Sequence, residues 1–147
     1  MSGFQASDRH RHVVAETTMR LVSTPDGVPV TAALRYTSQD PFAVTMVFLA
    51  DGSAPVEWVF ARDLLVTGVV RPTGVGDVHI FPAGGSVVLD LVSPDGAARL
   101  VADAEVLTRF ADDMLAAVPA GCEMDYIDLD LELAVMRREA VTGSGEL

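Results

Sequence analysis

VEWVFARDLLVTGVVRPTGVGDVHIFP, residues 56–82, carries the chain's only tryptophan, a Gly-Val-Gly, an Arg-Asp pair and a histidine beside Ile-Phe. Val56-Glu57-Trp58-Val59-Phe60 alternates as a β-strand does. Ala61 to Val66 changes character and fits one or two helical turns, ended by Gly68. Pro72-Thr73-Gly74 and the glycines that follow have ordinary turn composition, and Val78 to Phe81 reads as the next strand. Gly74-Val75-Gly76 is not a dinucleotide fingerprint, because the third glycine would fall at position 79, which is His79. It is not a phosphate loop either, since that needs a lysine and the chain has none. Trp58 is expected to be a core aromatic whose truncation unfolds the domain.

Working outward, Val13–Thr24, Val28–Tyr36 and Phe42–Leu49 are three more strands, separated by Pro25-Asp26-Gly27 and by Thr37-Ser38-Gln39-Asp40-Pro41. FAVTMVFL (42–49) is nearly continuous in apolar residues, which predicts a strand covered on both faces. After residue 82, Ser86–Val92 and Ala97–Val101 pair around Pro94-Asp95-Gly96. Val101–Ala117 then places Val106, Leu107, Phe110, Met114 and Leu115 on one helical stripe, stopped before Pro119 and Gly121. Regular strand and turn spacing predicts an antiparallel meander. The fold class expected is α+β, an antiparallel sheet or barrel-like core with flanking helices. Four strands and a helix, followed by strands and a helix, hint at a pseudo-duplicated layout.

Residues 1–12 read as a flexible lead-in, 13–140 as one domain and 141–147 as a flexible tail. The C-terminal run DYIDLDLELAVMRRE is ambiguous. Ile127, Leu129, Leu131, Leu133 and Val135 alternate like a strand. Acids at its start and Arg137-Arg138 near its end match a helix macrodipole, and a helix is favoured.

With 147 residues, half of them hydrophobic, the chain can bury a core. It has no apolar run near a membrane span's length, and with a polar start that lacks an apolar h-region no secretory leader is expected. Cys122 is the only cysteine, which excludes an intramolecular disulfide and makes the cytoplasm the default compartment. Twenty-one acids face ten bases, all arginine. Residues 101–147 alone hold eleven acids and three arginines. Such a surface repels a phosphate backbone, so nucleic acid is not an expected partner.

The candidate chemistry is thin. Arg62 and Asp63 are sequence neighbours and cannot face one another on a helix; Asp63 suits the helix start, and Arg62 suits pairing with an acid or covering the sheet. Asp128, Asp130, Glu132 and Glu139 occupy EF-hand positions 1, 3, 5 and 12, but the glycine needed at position 6 is Leu133. His10 and His12 are two ligands, too few for zinc. Cys122, the serines and the histidines form no nucleophilic triad pattern. Phe42, Phe48, Trp58, Phe60 and Phe81 could stack bases only beside Arg35, Arg62 or Arg71, and core packing is preferred. Neither catalytic residues nor a cofactor or metal site are expected.

Asp40-Pro41-Phe42-Ala43-Val44, VEWVFARDLL, RPTGVGDVHIFP, SPDGAARL (93–100), VPAG (118–121) and DLDLEL (128–133) fall in the order and spacing of the SsgA-like family of actinomycete sporulation and cell-division regulators. The resemblance covers residues 13–136. It implies a Whirly-like single domain that assembles as a trimer and acts without enzymatic chemistry. It also implies septal partners, either FtsZ or another SsgA-like protein, and a cytoplasmic location at the septum. The candidate partner contacts are Arg62, Arg71, Asp128, Asp130 and Glu132. The alternative is a single-stranded nucleic-acid binder, by analogy with the Whirly fold alone.

Overall fold

The computed structural model describes residues 10–23 and 25–127. The expected lead-in up to residue 9, the tail at 141–147 and the acidic C-terminal helix from Asp128 onward lie outside the described residues. Strands β1 (His12–Leu21), β2 (Val28–Thr37), β3 (Ala43–Leu49) and β4 (Val56–Ala61) are followed by helix α1 (Arg62–Gly68). A second set follows: β5 (Thr73–Val75), β6 (Val78–Ala83), β7 (Ser86–Ser93), β8 (Gly96–Asp103) and helix α2 (Ala104–Ala117). A short 3₁₀ turn, Glu123–Tyr126, ends the described chain.

All eight strands form one antiparallel sheet in the order β4-β3-β2-β1-β8-β7-β6-β5, curved into a half-barrel. Each half is a meander, as the turn spacing predicts. β1 and β2 pair along their full length, from His12↔Thr37 to Leu21↔Val28. Within the sheet the two meanders join where β1 pairs with β8, over Arg20↔Val101 and Leu21↔Leu100. Each meander ends in a helix, so the duplicated layout is present in the order of elements.

Inward positions alternate with outward ones, as a period of two requires. Val30, Ala32, Leu34 and Tyr36 of β2 are buried, as are Val44, Met46 and Phe48 of β3 and Val87, Leu89 and Leu91 of β7. Helix α2 lies on this concave face and buries Leu107, Phe110 and Met114 against it. It starts at Ala104 and not at Val101, because Val101 and Ala102 are still paired in β8. Asp103 then caps it, its carboxylate accepting from the Glu105 N–H at 2.8 Å.

The structure corrects three expectations. FAVTMVFL is buried on one face only: Thr45 and Val47 are half-exposed on the convex side, where no second layer of described residues covers them. Trp58 is half-buried and not a core residue; it packs at the rim of the apolar cluster. Residues 73–75 form a strand where turn composition was read. β5 pairs with β6 through Val75↔Val78, leaving Gly76-Asp77 as a two-residue turn. Gly76 has φ +60° at the first turn position, where an L side chain is strained. Gly74 serves a different purpose: a Cβ there would lie 2.1 Å from Cδ2 of His79, so the imidazole lies against bare backbone.

Candidate functional site

The most unusual side chain in the fold is Arg62, only 1% exposed. Strand β4 delivers it to the first position of α1, where its own N–H donates to Phe42 O at 2.7 Å and leaves the side chain pointing inward. Nη1 donates to Tyr36 Oη (3.0 Å), Met114 O (3.2 Å) and Val118 O (2.6 Å), and Nη2 donates to Glu123 Oε2 at 3.0 Å. The guanidinium carbon lies 5.4 Å from the Tyr36 ring centroid, and Tyr36 Oη in turn donates to Pro41 O at 2.9 Å. Nε has no partner.

This arrangement has a clear electrostatic origin. A helix C-terminus carries unpaired carbonyls and a partial negative charge, normally answered by a cation in the last turn. The last turn of α2 contains no basic residue. Arg62, from a different helix, supplies that cation and binds two of the terminal carbonyls. Burial pushes the Tyr36 phenol pKa up, against the opposing pull of Arg62. Glu123 is held below the usual carboxylate range, first by its own backbone N–H and then by Arg62. The site is therefore a clamp: it ties β2, α1, the end of α2 and the chain beyond it to one guanidinium. It holds no nucleophile, and its polar groups face one another.

A second feature is an apolar groove at the opposite end of the concave face. Phe48, Val56 and Trp58 on one side face Leu91 and Leu100 on the other across about 210 Å³. A third lies on the outer face of the second meander, where His79, Asp90 and Arg99 stand opposite one another on successive strands. Arg99 binds Asp90 bidentately (2.7 and 2.8 Å), which lowers the Asp90 pKa, and lies 5.5 Å from the Phe81 ring centroid.

The candidate contacts do not converge. Arg62 is inside the fold, whereas Arg71 is exposed past the far end of α1. Asp128, Asp130 and Glu132 lie outside the described residues. Pairing of Arg62 with an acid is found, but its acid is Glu123, 61 residues away. Nothing near Arg62 in sequence points to Glu123; the only clue is that α2 lacks a C-terminal cation of its own. Among the described residues no group of three or more His, Cys, Asp or Glu could hold a metal ion, and no helix is long and apolar enough to cross a membrane. Of the five rings, Phe48 and Phe60 are buried, Trp58 is half-buried and Phe81 lies under Arg99, which leaves Phe42, 48% exposed, as a single ring and not the row of exposed rings that base stacking needs.

Comparison with known proteins places these features in context. Residues 30–123 match the family model "Streptomyces sporulation and cell division protein, SsgA". The chain is 45% identical over 133 residues to the sporulation-specific cell division protein SsgB of Streptomyces coelicolor, covering 87% of this chain and 97% of that protein. It is 41% identical over 128 residues to SsgB of Thermobifida fusca, covering 83% and 92%. Among solved structures, the SsgA-like sporulation-specific cell division protein of Thermobifida fusca superposes with a TM-score of 0.77 at 40% identity, covering 87% of this chain and 97% of that one. A structure described under mutations in SsgB of Streptomyces coelicolor superposes with a TM-score of 0.75 at 42% identity, covering 81% and 98%.

Proposed function

The chain belongs to the SsgA family of sporulation and cell-division proteins, and from that premise we propose that it is a non-enzymatic adaptor controlling septum placement during sporulation. The observation that carries this is 45% identity over almost the full length of a sporulation-specific cell division protein. The distribution of polar groups supports it. The most buried cation is consumed as an internal clamp, and the Asp90–Arg99 pair is closed on itself. What remains for recognition among the described residues is surface, namely the convex face, the sheet edges and exposed Arg71; Asp128, Asp130 and Glu132 are proposed as contacts from their charge in the sequence alone. Such an adaptor works at the septum from the cytoplasm, with FtsZ or another SsgA-like protein as partner. Assembly as a homotrimer would multiply weak contacts through avidity.

Co-sedimentation of the purified chain with FtsZ polymers tests the partner. Recovery in the polymer pellet, reduced by Asp128→Asn/Asp130→Asn/Glu132→Gln, is expected; absence from the pellet at all protein ratios removes FtsZ as the direct partner. Size-exclusion chromatography with light scattering tests the trimer. Single-stranded nucleic-acid binding, the reading that rests on the Whirly analogy, is opposed by the net charge of −11 and by the burial of Phe48 and Phe60.

A further inference from the structure

We propose that the Trp58 groove and the edge of β4 beside it receive an extended segment of a partner protein, one that alternates apolar residues with lysine or arginine. The proposal rests on the adaptor reading and names the chemistry of the partner segment.

The groove calls for the apolar half of that segment. The inward side chains of β4 pass from buried Phe60 through half-buried Trp58 to Val56, 51% exposed, so the concave face loses its cover toward the start of the strand. There Val56 and Trp58 face Leu91 and Leu100 across about 210 Å³. A slot of that size takes individual side chains and not a helix about 10 Å across. Among the described residues β4 is also the last strand on its side of the sheet. Sheet edges are usually blunted by lysine, proline or a bulge. VEWVFA has neither lysine nor proline, its pairing with β3 runs unbroken from Ala43↔Ala61 to Phe48↔Val56, and its single charge is Glu57. A strand added along this edge shares the period of two and sends alternate side chains into the groove beside Val56 and Trp58.

The turns call for the basic half. Neighbouring strands are antiparallel throughout, so the β1–β2, β3–β4, β5–β6 and β7–β8 turns lie at one end of the sheet. The groove opens at this same end: Val56 starts β4, and Leu21, also in its wall, ends β1. Each of the four turns carries one exposed aspartate, Asp26, Asp51, Asp77 or Asp95. Aspartate suits a turn, but asparagine and serine suit it as well. Four aspartates with no base in any of these turns give this end a charge that turn chemistry does not require. The three ion pairs among the described residues involve none of the four. Arg20 and Arg99, on the adjoining strands, stand on the outer face, where Arg99 is closed on Asp90. An apolar slot at an end bearing four such carboxylates selects apolar side chains flanked by cations. A second copy of this chain, with a net charge of −11 and no lysine, is repelled from it.

The test titrates the purified full-length chain with a short synthetic peptide alternating lysine and leucine, and reads Trp58 emission together with backbone amide shifts by NMR. Saturable binding is expected that moves Trp58 emission and the amides of residues 56–61 and weakens as salt is raised. Asp26→Asn/Asp51→Asn/Asp77→Asn/Asp95→Asn keeps a turn-forming residue in all four turns and should bind on the order of tenfold more weakly at low salt. Val56→Asp, at an exposed position, should remove the Trp58 response while the β2–β3 amides stay protected. Equal affinity of the parent chain and the asparagine variant overturns the proposal, and so does equal binding of a peptide alternating glutamate and leucine. Shifts confined to other strands, or no binding, also overturn it. Without peptide, β4 amides protected at every dilution assign the edge to the rest of this chain, and protection lost on dilution assigns it to a second copy; either result overturns a partner segment there. A chain that reaches the septum and fails this titration keeps the adaptor reading and loses only this surface.

Discussion

Replacing Arg62 by methionine keeps most of the side chain's volume and removes its charge and donors. Val118 O then loses a 2.6 Å charge-assisted bond in a buried position. A buried acceptor left without a donor costs about 1–3 kcal/mol. Met114 O also accepts from the Val118 N–H, and Tyr36 Oη still donates to Pro41 O, so each of these losses is smaller, about 1 kcal/mol. Glu123 is near the surface and rehydrates, so it adds nothing to this sum. The total is about 3–5 kcal/mol, the range found when one partner of a buried pair is removed. For a chain of this size that corresponds to a fall in Tm of roughly 10–15 °C. Arg62→Lys keeps the charge but not the planar fork and should lose about half as much. Urea denaturation followed by far-UV circular dichroism measures both. If Arg62→Met lies within about 1 kcal/mol of the parent chain, Arg62 is not the clamp described here.

Four further outcomes follow from the same structure. Gly68→Ala should destabilise by about 1–3 kcal/mol or more, because its Cβ would lie 2.4 Å from Cγ2 of the buried Ile80; Gly74→Ala should cost less, since the exposed His79 ring can swing aside. Thermal melts of the two variants settle their order. Trp58→Ala should leave a folded chain and cost about 2 kcal/mol, whereas Phe110→Ala, in the core, should cost about 3–5 kcal/mol. Glu123 and Asp90 have depressed pKa values in the folded chain, so their contributions are present above the usual carboxylate range and are lost as pH falls through the folded values. Stability against pH should therefore show a shallower acid limb in Glu123→Gln/Asp90→Asn. Tyr36 has the opposite sense: its raised pKa gives a contribution present below pH 10 and lost above it, so Tyr36→Phe should flatten the alkaline limb.

Most of the sheet is legible in the sequence because its signals are local. Alternation marks β1, β2 and β4, and Pro-Asp-Gly marks the β7–β8 turn. β5 is hidden because its three residues hold Gly74 and lie between Pro72 and Gly76, which together read as a turn; only pairing with β6 makes it a strand. The extent of α2 is misread by three residues at its start because Val101 and Ala102 suit either element, and a ladder with β7 decides. The clamp is partly legible. That Arg62 seeks an acid follows from its type, but its carbonyl partners come from the end of α2, more than 50 residues away, and no local pattern encodes them. Trp58 is misplaced because alternation gives the face of a strand and not how deeply that face is covered.

A fluorescent fusion of this chain, followed through sporulation in its native host, most directly tests whether it is a septal adaptor. Regularly spaced foci at the sites of coming septa, present before constriction, are expected. Diffuse fluorescence throughout septation, from a fusion that is folded and complements its deletion, would contradict a role in septum placement.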